Sequence, residues 1–577
     1  MRWVRPLDPA TTEGPEGIGG KAHGLITLQR LGLPVPPGFV ITTAACRDFR
    51  RRGRLPDGLE AEIDTALAAL ERETGRTLGG TPALTVSVRS GAAVPMPGMM
   101  TTVLALGAPA EPPSADLQPD DPPPPAVDPA AAGPGGDPAA ASPPGRIPSA
   151  APWPVGPSFT DPHPRLAEPP SADPRSRPVD GGTPPGGAPL SAAGPVADPP
   201  TAPAARPDDF AAPPADAAAR VADLRGELTA AVTEVFASWD VPRARTYRAL
   251  HGIDDDAGTA VIVQAMVDGD RDDHSASGVA FGRDPVDGSP GPAGDVLFRS
   301  RGDAVVSGRG LPLPLSALAD REPRAWADLE DALDRARAHY RDACYLEFTV
   351  ESGRLWLLQV RPARFTGGAA VRTAVDLAER GVITRAEALA RIAPADLERA
   401  RLPVLAEGAD LWTRGTAAGP GIAVGRIATD SAAAVRLSAF GPVVLVRPET
   451  SPADMAGIAA AAGVLTARGG ASSHAAVVAR TLGRPAVVGA ADLHIEPGRV
   501  RAGDLWAAEG DLLTLDGTTG RVALGEHPTA PPPTDTAVDT LLAWADAVSD
   551  ADGASGTVAA TATDTDRLTA AHRALDR

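Results

Sequence analysis

Residues 463–489, GVLTARGGASSHAAVVARTLGRPAVVG, contain the pattern around which the rest of the chain is organised. A short apolar run ends in two glycines, and two serines follow where a helix would begin. The helical pattern then continues to Gly483. This order predicts a strand, a glycine turn and a helix, with His474 on the first turn of that helix.

The position of His474 suits phosphate chemistry. A helix N-terminus presents unpaired N–H groups and the positive end of a dipole, which favour a bound phosphate. A neutral imidazole can attack phosphorus, and a reference pKa near 6.5 makes the neutral form common at pH 7. Capped helices that follow glycine turns are also frequent, so this stretch alone fits an ordinary exposed histidine better than a catalytic one.

Composition excludes several classes of protein. The net charge of −19 and the pI of about 5.0 argue against a nucleic-acid-binding protein. Cys46 and Cys344 are the only cysteines and lie far apart, so neither a disulfide framework nor a zinc cluster is expected. No apolar run approaches the ~20 residues that span a bilayer, and the N-terminus does not resemble a signal peptide. We therefore expect a cytoplasmic protein without a membrane or nucleic-acid partner.

Changes in composition along the chain predict six segments. Residues 107–214 are rich in Pro, Ala and Gly and have few large apolar side chains, so they are predicted to be a disordered insertion. Residues 18–21, IGGK, predict a glycine-rich turn followed by a helix. Residues 344–363 alternate around a Ser-Gly pair, which predicts a hairpin. One helix is expected after residue 528. The predicted segments are a nucleotide domain in two parts at 1–106 and 215–365, the insertion at 107–214, a helical linker at 366–405, an α/β unit at 406–526 and a tail at 527–577.

Several long motifs, found in the same order as in one known family, carry a resemblance. They include GGKAHGL, SVRSGAAVPMPGMMTTVL, YLEFTVESGRLWLLQVRPA, ETSPADMAG and LTARGGASSHAAVVAR. On these motifs the chain resembles the pyruvate phosphate dikinases, which are PEP-utilising enzymes. The resemblance implies an α/β and α+β multidomain protein that joins an ATP-grasp nucleotide-binding domain to a swivelling β/β/α phosphohistidine domain. In that family a C-terminal barrel handles pyruvate and phosphoenolpyruvate.

The resemblance also implies a reaction. The histidine takes a pyrophosphoryl group from ATP and releases AMP, and inorganic phosphate then removes the outer phosphoryl group as pyrophosphate. Mg²⁺ and ATP are the implied cofactors. The expected partners are ATP, inorganic phosphate and either a separate barrel chain or an acceptor protein, and a homodimer is compatible with the family.

Site residues are carried over only where the motifs match. His474 matches the phosphorylated histidine, and Glu347 and Gln359 match oxygen ligands for Mg²⁺. Because the two strands of the hairpin bring Glu347 and Gln359 together, their oxygens can converge on one ion. Arg361, two residues beyond Gln359, is expected to share its face. The residues implied to bind nucleotide and phosphate are Lys21, Arg89, Arg283, Gln359 and Arg361. Those implied to support the phosphohistidine are Thr466, Arg468, Gly469, Gly470, Ser472 and Ser473.

Two departures from the family pattern predict weaker catalysis. The family usually has an acidic residue two positions before the glutamate, where this chain has Tyr345. The loop that resembles the phosphate-covering flap carries Asp270, Asp272 and Asp273, and free carboxylates there would repel ATP.

The sequence leaves three functional hypotheses open. Residues beyond 528 resemble only the start of the family barrel, so a truncated form is expected that does not itself make or consume phosphoenolpyruvate. One hypothesis is a half-enzyme that phosphorylates His474 from ATP and passes the phosphoryl group to an acceptor in trans. The second is a degenerate paralogue that binds nucleotide or a partner without turnover. The third is a full dikinase whose barrel is a separate chain.

Overall fold

The computed structural model describes residues 2–94, 96, 99–108, 215–302, 312–363, 365–471, 473–532, 534–551 and 562–576. Except for Gly107 and Ala108, the insertion predicted over residues 107–214 lies outside these ranges. Ser472, which was predicted to support a phosphohistidine, also lies outside them.

Strands from both sides of the insertion share the first sheet, which has the antiparallel order β1-β2-β7-β5-β6. Its central strand β7 is buried along its whole length, as its continuous apolar sequence predicts. The strands are β1 Val4–Pro6, β2 Gly38–Ile41, β5 Val86–Gly91, β6 Thr102–Leu106 and β7 Ala260–Ala265, and Thr77–Leu78 (β3) pairs separately with Ala83–Leu84 (β4). The helices of this part are α1 Pro15–Arg30, α2 Thr43–Arg52, α3 Leu59–Thr74, α4 Ala215–Ala237 and α5 Pro242–His251.

The second sheet is also antiparallel and has the order β10-β9-β8-β11-β12. Its strands are β8 Ala276–Arg283, β9 Pro290–Phe298, β10 Leu313–Pro314, β11 Cys344–Glu351 and β12 Arg354–Pro362, and two helices follow β10, Ala317–Arg321 (α6) and Pro323–Tyr340 (α7). The predicted hairpin is confirmed. Its turn residues Ser352 and Gly353 have φ values of 48° and 78°, and positive φ at both positions is typical of a tight hairpin turn.

The two faces of the second sheet have different roles. One face packs Leu346, Phe348 and Val350 into a core shared with α1 and α7. Strand alternation therefore turns Tyr345 and Glu347 to the opposite face. That opposite face is where most of the predicted phosphate-binding residues lie.

Helices before and after the α/β unit pack together in one cluster. They are α8 Gly367–Glu379, α9 Arg385–Arg391 and α10 Pro394–Ala400, together with α14 Thr536–Ala551 and α15 Asp564–Leu575. The sequence predicted one helix after residue 528, and this was wrong, because α15 is a second. Thr563 and Asp566 form a capping box at its start, and Leu568 and Ala571 are buried against the linker helices.

The α/β unit is built on an eight-stranded mixed sheet of order β14-β24-β23-β16-β17-β18-β19-β15, in which β16 to β19 are parallel neighbours. A three-stranded sheet, β20-β21-β22, lies beside it, and β13 pairs with β25 where the chain enters and leaves the unit. The strands are β13 Val404–Leu405, β14 Thr413–Arg414, β15 Thr416–Gly419, β16 Ile422–Ala428, β17 Val443–Arg447, β18 Gly463–Thr466, β19 Ala486–Val488, β20 Leu493–Glu496, β21 Arg499–Ala502, β22 Leu505–Ala508, β23 Leu512–Asp516, β24 Arg521–Leu524 and β25 Thr529–Ala530. The helices are α11 Ser431–Ser438, α12 Met455–Ala460 and α13 His474–Thr481.

Cys46 and Cys344 are both buried free thiols. Over the described ranges, none of the helices is long and apolar enough to cross a membrane.

Candidate functional site

His474 is the first residue of α13, and α13 follows the end of a parallel strand. Strand β18 ends at Thr466, and Gly469 in the turn has a φ of 104°. Ser473 is the N-cap, and its Oγ accepts a hydrogen bond from the Ala476 N–H at 3.4 Å. The strand, glycine turn and helix predicted from the sequence are confirmed.

The His474 ring is half-buried against the segment that follows β17. Its Nδ1 lies 3.1 Å from Thr450 Oγ1. If Nδ1 carries the proton and donates it to Thr450, Nε2 keeps a free lone pair. Burial lowers the pKa of His474 below its usual 6.5, and the charge of Asp454 opposes that shift. The imidazole is therefore mainly neutral at pH 7, as a nucleophile requires.

The side chains of Thr466 and Arg468 are engaged within the turn. The buried Thr466 Oγ1 donates to the Arg468 carbonyl oxygen at 2.7 Å. Arg468 Nε lies 3.3 Å from a carboxylate oxygen of Glu449. These contacts shape the loop that leads to His474, whereas a role as donors to a phosphoryl group stays a prediction.

Lys21 and Arg89 are brought together by glycines in α1. The sequence predicted a helix after the IGGK turn, and this was wrong, because α1 begins at Pro15 and the turn is a kink inside it. Gly19 has a φ of 79°, and a methyl group there would overlap the Gly91 carbonyl oxygen. The close approach of backbone to backbone sets Lys21 beside the end of β5, where Arg89 lies.

The charges of Lys21, Arg89 and Glu347 affect one another. Burial and the neighbouring Arg89 lower the pKa of Lys21 to about 8, and Glu347 opposes the shift. Burial also lowers the pKa of Arg89, whose Nη2 donates to the side-chain oxygen of Gln264. Arg89 Nε is buried and has no hydrogen-bond partner among the described residues. A cationic pocket with a buried donor left over is suited to an anion such as a phosphate.

One row of residues crosses the second sheet from β9 to β12. Asp295 pairs in register with Val279, Val279 with Glu347, and Glu347 with Gln359. Residues opposite each other in antiparallel strands share a face, so Asp295, Glu347 and Gln359 lie on the same face. In the adjacent row Tyr345 pairs with Arg361. The sequence predicted the convergence of Glu347, Gln359 and Arg361 but not the presence of Asp295 in the same row.

Glu347 and Gln359 fit a Mg²⁺ ion that also binds phosphates. They offer a carboxylate and an amide oxygen, and Mg²⁺ is commonly held by one or two carboxylates together with substrate phosphates and water. Among the residues that the structure describes, no group of three or more His, Cys, Asp or Glu could hold a metal by itself. The donor set therefore suits an ion that arrives with its phosphate ligand.

Arg283 is not free for the same task. Its Nη1 donates to Asp376 on α8 at 2.6 Å, and its Nε and Nη2 donate to the Gly288 carbonyl oxygen at 2.9 and 2.7 Å. These bonds join β8 to the linker helices. The structure thus gives Arg283 a contact between segments, and its predicted role in nucleotide binding has no geometric support.

The three aspartates of the flap loop are engaged as well. The loop was expected to present free carboxylates to ATP, but each has partners: Asp270 pairs with Arg301 at 2.8 Å, Asp273 with Arg299 at 2.9 Å, and Asp272 accepts a hydrogen bond from Ser275 Oγ at 2.6 Å. Paired carboxylates repel a polyphosphate less than free ones. The flap is therefore a weaker argument against catalysis than its sequence suggested.

The His474 loop packs against the face of the second sheet that carries Asp295, Glu347 and Gln359. A methyl group at Gly470 would overlap the Asp295 carboxyl group, so the backbone of the loop touches that side chain directly. Arg480 on α13 is half-buried, and burial and the charge of Arg361 lower its pKa to about 10. Arg480 also donates to the Ala471 carbonyl oxygen at 2.6 Å. The histidine unit and the second sheet thus meet where Gly470 contacts Asp295 and where Arg480 lies close to Arg361.

Sequence reasoning missed three residues of this arrangement. Thr450 lies in the ETSPADMAG motif, which was recognised without a role for its threonine. Arg480 lies six residues after His474 in the motif of that histidine, and it could have been proposed from that spacing. Asp295 gave no sequence signal, because only the strand register brings it to Gly470.

Comparison with known proteins identifies two domains. Residues 51–312 match the family model described as the AMP/ATP-binding domain of pyruvate phosphate dikinase. Residues 440–520 match the mobile domain of PEP-utilising enzymes. The second match contains His474 and the first contains Arg89, whereas Lys21, Glu347, Gln359 and Arg361 lie outside both.

The chain is also similar over most of its length to curated dikinases. It is 36% identical to the pyruvate, phosphate dikinase of Rhizobium meliloti (strain 1021), over 95% of this chain and 60% of that protein. It is 34% identical to pyruvate, phosphate dikinase 1, chloroplastic, of Arabidopsis thaliana, over 93% of this chain and 54% of the relative. It therefore spans a little over half the length of these relatives. The two matched domains and these relatives make the chain similar to the pyruvate phosphate dikinase family.

Proposed function

We propose that this chain is a phosphotransferase that uses ATP and inorganic phosphate to phosphorylate His474, giving AMP and pyrophosphate. We further propose that its two antiparallel sheets form an ATP-grasp nucleotide site and that the unit carrying His474 swivels. The observation that carries the proposal is the contact of Gly470, in the His474 loop, with Asp295, which lies on the same sheet face as Glu347 and Gln359. This contact sets the loop that carries a neutral nucleophile against the face that carries the proposed Mg²⁺ ligands.

The residues of the pocket have different proposed roles, which follow from their charges. Lys21 and Arg89 would hold the phosphates of ATP, with the unpartnered Arg89 Nε as one donor. Glu347 and Gln359 would hold Mg²⁺, which when bound neutralises phosphate charge. Arg361, next to Gln359 on the same face, would offset the negative charge that develops on the transferring group.

His474 would act as the nucleophile. Its Nε2 lone pair attacks the β-phosphorus of ATP, the bond from that phosphorus to the α-phosphate oxygen breaks, and AMP leaves with the bonding electrons. Inorganic phosphate then attacks the outer phosphorus and leaves as pyrophosphate, so that one phosphoryl group remains on His474. Thr450, 3.1 Å from Nδ1, would hold the ring in the tautomer that leaves Nε2 free. We propose that an acceptor in trans takes the remaining phosphoryl group.

Isotope labelling tests this function. Incubation with ATP labelled at the β-phosphate, Mg²⁺ and inorganic phosphate is expected to give acid-labile label on a peptide containing His474, with one AMP released per label. Leaving out phosphate should retain the label as a pyrophosphoryl group. Absence of label from His474 under all these conditions would refute the proposal.

The second candidate is a paralogue that binds nucleotide or a partner without turnover. Tyr345, a neutral side chain beside Glu347, is the observation that favours it, since it leaves a single carboxylate at this position of the hairpin. AMP formation that depends on His474 would reject this candidate. ATP binding without AMP release would support it.

We expect the rate of His474 phosphorylation to fall at both low and high pH, which gives its pH profile an acid limb and an alkaline limb. The pKa of His474 is lowered from 6.5, so the rate falls only when the pH drops through a value below 6.5 and the ring becomes protonated. The pKa of Lys21 is about 8, so its charge, and with it phosphate binding, is lost as the pH rises through about 8. Single-turnover rates at limiting ATP between pH 5 and 9.5 measure both limbs.

The variant Lys21→Arg is the control for the alkaline limb. Arginine stays charged across this range, so the decline near pH 8 should disappear relative to the unmodified chain. The ionisation of ATP and phosphate changes the rates of both proteins equally, so it drops out of the ratio of their rates at each pH. An alkaline limb that is identical in both proteins would show that Lys21 is not its source.

We expect Gly470→Ala to slow phosphorylation of His474 from ATP by about 10-fold or more, because the added methyl group overlaps Asp295 when the two units are in contact. The overlap does not exist when they separate, so thermal stability should change little. Single-turnover labelling measures the effect. Gly226→Ala is a matched control, since a methyl group there meets nothing within 4 Å. Asp295→Ala should partly restore the rate of Gly470→Ala, and an unchanged rate in the single variant would contradict this prediction.

A further inference from the structure

Tyr345 lies between two side chains of opposite charge. Tyr345 pairs in register with Arg361 across β11 and β12, and Glu347 pairs with Gln359 in the adjacent row. Glu347 and Arg361 are therefore diagonal neighbours on one face. Diagonal neighbours on a sheet are ~7–8 Å apart, which is within reach of a long side chain such as arginine. A direct salt bridge between Glu347 and Arg361 is thus sterically within range.

The structure shows a different arrangement. The Arg361 guanidinium carbon lies 4.3 Å from the centre of the Tyr345 ring. The Tyr345 hydroxyl donates a hydrogen bond to Glu347 Oε1 at 3.2 Å. Glu347 and Arg361, both within the described residues, form no ion pair with each other. The phenol thus contacts both charges in place of a bond between them.

Tyr345 is itself held firmly. Its side chain is only 6% exposed, and its ring packs edge-on against Phe281 with ring centres 5.0 Å apart. Its hydroxyl is the donor in the hydrogen bond to Glu347 Oε1.

We propose that Tyr345 is a positioning residue that separates Glu347 from Arg361, so that the carboxylate stays available to a divalent cation and the guanidinium to a phosphate. This inference rests on the proposed function, in which the two groups serve ATP. Without the ring, Arg361 swings onto Glu347 and the two charges neutralise each other. The site then loses a cation ligand and a phosphate donor in a single step.

Binding of Mn²⁺, used in place of Mg²⁺, tests the separation without turnover. The probe is Mn²⁺ with the ATP analogue in which a methylene group replaces the α,β-bridging oxygen, which is the bridge that the proposed reaction breaks, and electron paramagnetic resonance measures free Mn²⁺. Tyr345→Leu, which removes ring and hydroxyl, should weaken Mn²⁺ binding at least ~10-fold because Arg361 then occupies Glu347. Tyr345→Phe, which keeps the ring, should weaken it no more than about 5-fold, the cost of one hydrogen bond.

A second substitution separates this role from simple packing. In an Arg361→Gln background there is no guanidinium to occupy Glu347, so Tyr345→Leu should change Mn²⁺ affinity by less than about threefold. An equal loss in both backgrounds would show that Tyr345 only packs the sheet, and would overturn the proposal. So would a Tyr345→Leu chain that binds Mn²⁺ as tightly as the unmodified chain, or a Tyr345→Phe chain as weak as Tyr345→Leu.

Two control measurements distinguish a folding defect from a failure of the proposed function. Near-UV circular dichroism checks each variant, and Tyr345→Met, whose unbranched side chain adapts more easily to an irregular gap, replaces Tyr345→Leu if the latter loses its folded signal. Labelling of His474 is measured in the same proteins. If the Mn²⁺ results hold but His474 is never labelled, the proposed function fails and the separation stands. If His474 is labelled but Tyr345→Leu leaves Mn²⁺ binding unchanged, only the role of Tyr345 fails.

Discussion

Replacing His474 with asparagine is expected to remove the phosphoryl label and to reduce ATP-dependent AMP formation at least about 10³-fold, because the amide has no lone pair able to attack phosphorus. The N-cap Ser473 is unchanged in this variant, so α13 should keep its start. Acid-labile incorporation and AMP release, measured in parallel, check this result. Binding of the ATP analogue should change less than about twofold, since Lys21, Arg89 and Glu347 are untouched.

Thr450→Val is the matched control for this loss. Valine keeps the shape of threonine but cannot bond to Nδ1, which lies 3.1 Å from Thr450 Oγ1. We expect about a 10-fold slower reaction that still labels His474, because the ring loses its tautomeric preference and not its nucleophile. Label at an unchanged rate in the His474→Asn chain would place the nucleophile elsewhere and would contradict the proposed reaction.

Replacing Lys21 with methionine is expected to cost about 10²-fold in the rate of His474 phosphorylation at limiting ATP, the typical effect of removing one preorganised donor to a transferring group. Lys21 is the only lysine among 54 lysine and arginine residues, so the chain uses arginine at its other basic positions. A compact ammonium beside Arg89, where Gly20 approaches the Ala92 carbonyl, is a steric reason for lysine here. Single-turnover labelling against ATP concentration measures the loss.

Lys21→Arg distinguishes charge from shape. We expect it to recover less than half of the loss on a logarithmic scale, because the larger guanidinium must fit where the backbone of α1 approaches the loop after β5. The single lysine also allows a chemical check, since reductive methylation modifies only Lys21 and the N-terminal amine. Protection of Lys21 by ATP is expected. An undiminished rate in Lys21→Met would remove Lys21 from the phosphate site.

Local sequence patterns predicted several features that the structure confirms. The hairpin over residues 344–363 follows from strict alternation around Ser352 and Gly353, whose conformation the tight turn requires. The helix that begins at His474 follows from a glycine turn and a serine cap. Both depend on contacts within a few residues, which a sequence displays directly.

The side-chain pairings and the helix that the sequence did not predict depend on long-range contacts. The flap aspartates are paired with Arg299 and Arg301, and Arg283 is bonded to Asp376 on the linker helices. Helix α15 was missed because its stability comes from burial of Leu568 and Ala571 against distant helices and not from its own weak pattern.

The sequence by itself determined the family resemblance, the His474 motif and the shared hairpin face of Glu347, Gln359 and Arg361, because strand and helix periods fix which neighbours share a side. Only the tertiary structure decided what surrounds them. It brought Thr450 to His474 and Asp295 to Gly470, and it showed Tyr345 in contact with both Glu347 and Arg361. The physical reason is that a side chain's partner depends on register and packing between distant segments, which no local pattern records.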